Sequence, residues 1–186
     1  MKNGAGTASL TAKLAALLLI LCLLPCAALG DGEAPKAELK DNLVETKHSI
    51  EIGGKQIDYT ATTGTIALES DLGQYEVFFT AYTVDSAGSP AYRPVTFAFN
   101  GGPGSASLWL HMGLLGPERI ALSEEGKIDK IPVGTEPNKY CVLDLTDLVF
   151  IDPVGTGYSR AMPGTDEKTF FTYENDIQSV GDFIRL

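Results

Sequence analysis

Two short apolar runs without alternation, Val95–Phe99 and Leu148–Ile151, each break directly into a glycine-rich loop. An apolar run of this length with no polar face suits a central strand buried on both sides. The first loop is Asn100-Gly101-Gly102-Pro103-Gly104 and the second is Asp152-Pro153-Val154-Gly155-Thr156-Gly157-Tyr158-Ser159. A helix-like run, Ser105 to Met112, follows the first loop. Two such strands with a helix between them predict an open α/β sheet. Sites in such sheets lie beyond the carboxyl ends of the strands, so parallel strands place both loops on the functional side.

The rest of the chain predicts an antiparallel β meander ahead of that unit. Ser49–Ile52 and Lys55–Thr60 alternate on either side of Gly53-Gly54, a hairpin signature. Gly64–Leu68 and Tyr75–Thr83 read as further strands, and Asp85–Pro90 as a turn-rich break. Tyr173–Leu186 carries Ile177, Val180, Phe183 and Ile184 at helical spacing, which predicts an amphipathic helix.

The first thirty residues are set apart from this fold. Lys2 and Lys13 are the only charges before Asp31, and Leu14–Leu24 is almost wholly apolar. Small residues at Ala28 and Gly30 complete a secretory signal peptide over residues 1–30. The apolar run is shorter than the roughly 20 residues a membrane span requires. Residues 31–46 are polar and read as a leader, with the folded portion over 47–186. The expected location is therefore periplasmic or extracellular, with no membrane attachment after cleavage.

The 186-residue chain has a formal net charge of −10, and without Lys2 and Lys13 it is two units more negative. It has no basic stripe, which argues against nucleic acid and anionic lipid as partners. Cys141 is the one cysteine beyond the signal peptide, so no internal disulfide forms there. With no Cys/His cluster, neither a metal nor another cofactor is expected.

The Asn100–Gly104 loop breaks a strand ahead of a helix and offers unpaired backbone N–H groups. Such donors favour an anion, as in the oxyanion hole of a serine hydrolase. The matching nucleophile is missing, because no Gly-x-Ser-x-Gly elbow occurs. Ser159 comes nearest, but Pro163 and Gly164 follow and stop the helix such a serine needs. Ser105 reads as a helix cap. His48 reads as an exposed hairpin residue, His111 as structural or at a rim, and Cys141 as core.

Asn100–Ser107, Leu115-Gly116-Pro117 and Asp152–Ser159, taken in this order, resemble the N-terminal part of the serine carboxypeptidases. The resemblance runs from about Tyr75 to Leu186. It implies an α/β-hydrolase fold of which this chain holds the N-terminal part of the sheet, and removal of C-terminal residues from peptide substrates. It also implies that the Gly102 backbone N–H is an oxyanion donor and that Asn100 and Gly101 hold the substrate's terminal carboxylate. Trp109 falls in the leaving-residue pocket, and the Asp152–Ser159 loop supports the floor of the site. Two positions depart from the family. Leu114 stands where a carboxylate-binding Glu is common, and Ser105 where Cys is common. The family's nucleophile elbow comes after the last helix of this chain, with its Asp and His later still. The chain thus reads as an N-terminal fragment, inactive alone and prone to insolubility. An exported, non-catalytic peptide-binding or vestigial module is an alternative. So is a proline iminopeptidase-type hydrolase, although that type has His where Asn100 stands.

Overall fold

Gly53 and Gly54 form the tight turn that their sequence predicts. In the computed structural model, which describes residues 38–85, 93–101, 104–128 and 131–186, both have positive φ, +59° and +78°. That conformation suits the two-residue turn of a hairpin and is least costly for glycine. It joins strand β1 (Asn42–Ile52) to β2 (Lys55–Ser70), with Ile52 opposite Lys55.

Two boundaries differ from those expected. β1 begins at Asn42, so Asn42–Thr46 of the polar segment is strand, paired with Ala61–Thr65. Charged side chains such as Glu45 and Lys47 suit an edge strand and disguise it as leader. The Lys47 ammonium also anchors the edge, meeting Asp85 at 2.9 Å. Lys55–Thr60 and Gly64–Leu68 are one 16-residue strand rather than two. The β-branched residues Thr60, Thr62 and Thr63 carry the pleat through. The expected break at Asp85–Pro90 lies largely outside the described residues.

β3 (Gly73–Val84) pairs antiparallel with β2 and with β7 (Asp147–Ile151). β7 in turn pairs in parallel with β4 (Val95–Ala98). The six-stranded mixed sheet has the order β1-β2-β3-β7-β4, and short β8 (Arg160–Ala161) pairs with β3. A separate ribbon joins β5 (Glu118–Ile120) to β6 (Thr135–Pro137).

The sheet is covered on both faces. Tyr75, Val77, Phe79 and Ala81 alternate along β3 and share one core with Ile151 of β7. Phe170, from a 3-10 turn (Glu167–Phe171), joins this core. So do Val180 and Phe183 of a terminal helix (Tyr173–Ile184). The Thr172 hydroxyl caps that helix by accepting the Asn175 N–H at 3.3 Å. The opposite core collects Ile50, Ile57, Tyr59, Leu148 and Phe150 around Leu143 and the buried Cys141 thiol.

β7 is thus buried on both faces, as its sequence predicts. β4 is not. It is the edge of the sheet among the described residues, and Val95 and Phe97 are 49% and 36% exposed. Only Ala98 on this strand is fully buried. The terminal helix is likewise half-covered, with Ile177 54% exposed. Among the described residues, no helix is long and apolar enough to cross a membrane.

Candidate functional site

Parallel pairing of β4 and β7 carries the two glycine-rich loops to the same end of the sheet. A direct bond joins them. Ser107, just after the first loop, donates its backbone N–H to Asp152 Oδ1 of the second at 2.8 Å. The Ser107 hydroxyl donates to the Ile151 carbonyl at the end of β7. Both residues are buried.

The second loop is braced from within. Gly157 has φ +49°, and a Cβ there would run into the Asp152 carboxylate and touch Ala106. Ser159 is fully buried; its hydroxyl donates to the Asp152 carbonyl at 2.6 Å and accepts the Phe78 N–H at 2.7 Å. The Arg160 guanidinium donates to the carbonyls of Ser159 (2.6 Å) and Gly157 (2.8 Å). A serine with both hydrogen-bonding directions filled and no solvent access is a strut, not a nucleophile.

The helix expected over Ser105–Met112 starts later and is shorter. It comprises a single α turn, α1 (Leu108–Leu110), which runs into a π turn over His111–Leu115. Ser105 does not cap it. Its hydroxyl accepts from Asn100 Nδ2 at 3.4 Å, and Ser107 at the helix start makes no side-chain cap bond. Asp152 and Ile151 claim the polar groups of Ser107, which delays the first turn.

His111 has a structural setting. It stacks on Phe150 with ring centres 4.6 Å apart, and its Nε2 lies 2.6 Å from the Tyr82 hydroxyl. Burial pushes its pKa down to about 4, which keeps the ring neutral. His48 stacks on Tyr59 and meets the Thr46 hydroxyl at 2.7 Å on the exposed edge strand. Among the described residues, no serine hydroxyl is hydrogen-bonded to an imidazole, and no group of His, Cys, Asp and Glu could hold a metal ion.

Gly102 lies outside the described residues. Its neighbours Asn100 and Gly101 end the strand segment, and Gly101 is exposed. Asn100 Oδ1 is buried without a hydrogen-bond partner among the described residues. An unpaired buried amide oxygen costs free energy. Trp109 is 71% exposed and lines a cavity of about 560 Å³ with Met112, Gly113, Arg119, Ile120 and Leu122. A second cavity of about 260 Å³ lies beside the second loop, against Ala106, His111, Phe150, Asp152 and Tyr158. Leu114 is not among the lining residues of either; its carbonyl accepts from Asn138 Nδ2 at 2.8 Å.

The model of one family, serine carboxypeptidase, matches residues 54–183. The chain belongs to the serine carboxypeptidase family. The match begins well ahead of the first motif and takes in β2 and β3. Among solved structures the chain is similar to the crystal structure of KEX1(delta)p, a prohormone-processing carboxypeptidase from Saccharomyces cerevisiae. The two are 24% identical with a TM-score of 0.50, over 68% of this chain and 28% of that one. That likeness supports the fold: the mixed sheet is part of an α/β carboxypeptidase fold. The chain spans just over a quarter of that structure's length. No curated protein matches the chain.

Sequence reasoning found the glycine loops but not what joins them. The Asp152 carboxylate and the Ser107 N–H are 45 residues apart, and only the β4–β7 register brings them together. Arg119 also went unnoticed, because an isolated arginine in a short strand carries no local signal.

Proposed function

We propose that this chain forms the oxyanion and leaving-residue side of a serine carboxypeptidase site, and that its ligand is the C-terminal end of a peptide. The family match over residues 54–183 carries this reading. In the reaction that such a site serves, a serine attacks the carbonyl of the last peptide bond. A histidine takes its proton and returns it to the leaving amine. The Gly102 backbone N–H supports the oxyanion, and one such donor contributes about 3–4 kcal/mol. Asn100, with its carboxamide turned from Ser105 toward the ligand, and Gly101 face the terminal carboxylate, and Trp109 flanks the leaving side chain.

On this reading the chain contributes supports of the reaction and not its nucleophile, so alone it binds peptide and does not cleave it. Incubation with benzyloxycarbonyl-Phe-Leu, followed by chromatography for free leucine and mass spectrometry after a fluorophosphonate, tests both halves. Binding without leucine release or adduct is expected. Leucine release blocked by the fluorophosphonate would overturn the inactivity, and absence of binding would overturn the peptide site.

The chain is also proposed to be exported after cleavage of residues 1–30. N-terminal sequencing of the cell-envelope or secreted form should begin near Asp31; a form beginning at Met1 would refute it.

A further inference from the structure

We propose that Arg119 supplies the positive charge that binds the C-terminal carboxylate of the peptide, while the apolar cavity beside Trp109 takes the terminal side chain. This rests on the peptide-binding reading above and adds a residue and a ligand class to it.

The cavity of about 560 Å³ is lined by Leu108, Trp109, Met112, Ile120 and Leu122, with Gly113 leaving open space along one wall. Such walls favour an apolar side chain. A carboxylate brought to the same place loses hydration and needs a charged donor in return. Leu114, at the position where an acid is common in the family, offers no polar group. Asn100, which faces the same carboxylate, is uncharged, and its Nδ2 already donates to Ser105 at 3.4 Å. Among the described residues that line the cavity, Arg119 is the one cation.

Its guanidinium is already oriented. Arg119 and Glu136 are cross-strand partners in the β5–β6 ribbon. Arg119 Nε donates to Glu136 Oε1 at 2.8 Å, and Nη2 meets the same oxygen at 2.5 Å. One oxygen thus takes two of the five guanidinium protons and leaves others for a second acceptor. The Arg119 side chain is 35% exposed, so a ligand reaches it. Glu124 is the other charged residue among the described lining residues; it is exposed, where water weakens its repulsion.

Trp109 is the only tryptophan in the chain and lines this cavity, so its fluorescence reports occupancy. The experiment titrates the full chain with benzyloxycarbonyl-Phe-Leu and, separately, with its C-terminal amide. Wild type should bind the acid about tenfold more tightly than the amide, as expected for one charge-assisted contact. Arg119→Met should lower the ratio severalfold, toward one, and leave amide affinity within about twofold. Glu136→Gln, which frees the guanidinium, should raise the acid preference. Arg119→Lys should keep part of it, because a point charge remains without the fork. If Arg119→Met unfolds the ribbon, the Glu136→Gln and Arg119→Lys ratios decide. An acid preference unchanged by these substitutions, with peptide still bound, overturns the role of Arg119 alone. If wild type binds neither peptide, the peptide-binding reading fails and this inference with it.

Discussion

Asp152 Oδ1 accepts the backbone N–H of Ser107 at 2.8 Å, and this bond locks the two glycine-rich loops against each other. It is buried, and one partner is a carboxylate, so it is worth more than an ordinary hydrogen bond. Asp152→Ala should cost about 2–3 kcal/mol in urea unfolding, since it leaves the Ser107 N–H without an acceptor. Asp152→Asn retains an acceptor and should cost less. Equal stability of wild type and Asp152→Ala would show that the loops are not joined this way.

Ser159 sits beneath the same loop. Ser159→Ala deprives the Phe78 N–H of its acceptor and the Asp152 carbonyl of its donor. A loss of about 2–3 kcal/mol is expected from the two buried bonds. Because its hydroxyl is fully engaged, a fluorophosphonate should leave Ser159 unmodified, as read by peptide mass mapping. An adduct on Ser159 in the folded protein would contradict the role of strut.

These contacts show where local pattern stops being informative. The Gly53-Gly54 turn and the terminal helix were legible because each depends on residues close in sequence, and β7 because its run has no polar face. The glycine loops were legible as motifs, and so was the family. The start of β1 was not, since the charges of an edge strand look like those of a leader. Nor was the late, short helix after Gly104, because its first turn yields to Asp152, a residue supplied by a different strand. Val95–Phe99 was read correctly as apolar strand, but burial depends on neighbours, and β4 has only β7 beside it among the described residues.

His111 predicts a pH dependence. Its pKa in the fold is about 4, depressed by burial, against 6.5 in an unfolded chain. Below pH 6.5 the unfolded state therefore binds a proton that the folded state refuses. Stability from this residue is fully present above pH 6.5, falls with pH, and levels off below about pH 4. Between pH 7.5 and pH 5 the loss should be about 2 kcal/mol. His111→Gln should flatten the urea midpoint over this range relative to wild type. Parallel pH profiles of the two proteins would show that His111 is not buried as a neutral ring.

The exposed face of β4 predicts self-association. Val95 and Phe97 are at least 36% exposed, and alternation sets them on one side of a strand whose outer edge has no partner among the described residues; Phe99, just beyond its end, is 44% exposed. An apolar edge strand with unpaired backbone groups is a template for another strand. The net charge of −10 opposes association only weakly at physiological salt, because surface charges are screened beyond about 8 Å. Sedimentation velocity should therefore show association of wild type that grows with concentration. Phe97→Lys places a charge on this edge and should shift the protein toward monomer. Because Phe97 is only 36% exposed, the substitution also gives up buried ring area and should lower stability by about 1 kcal/mol. Phe150→Lys, by contrast, places a charge in the core of the same sheet and should unfold the protein. A wild type that stays monomeric at every concentration tested would mean that the β4 edge is already protected.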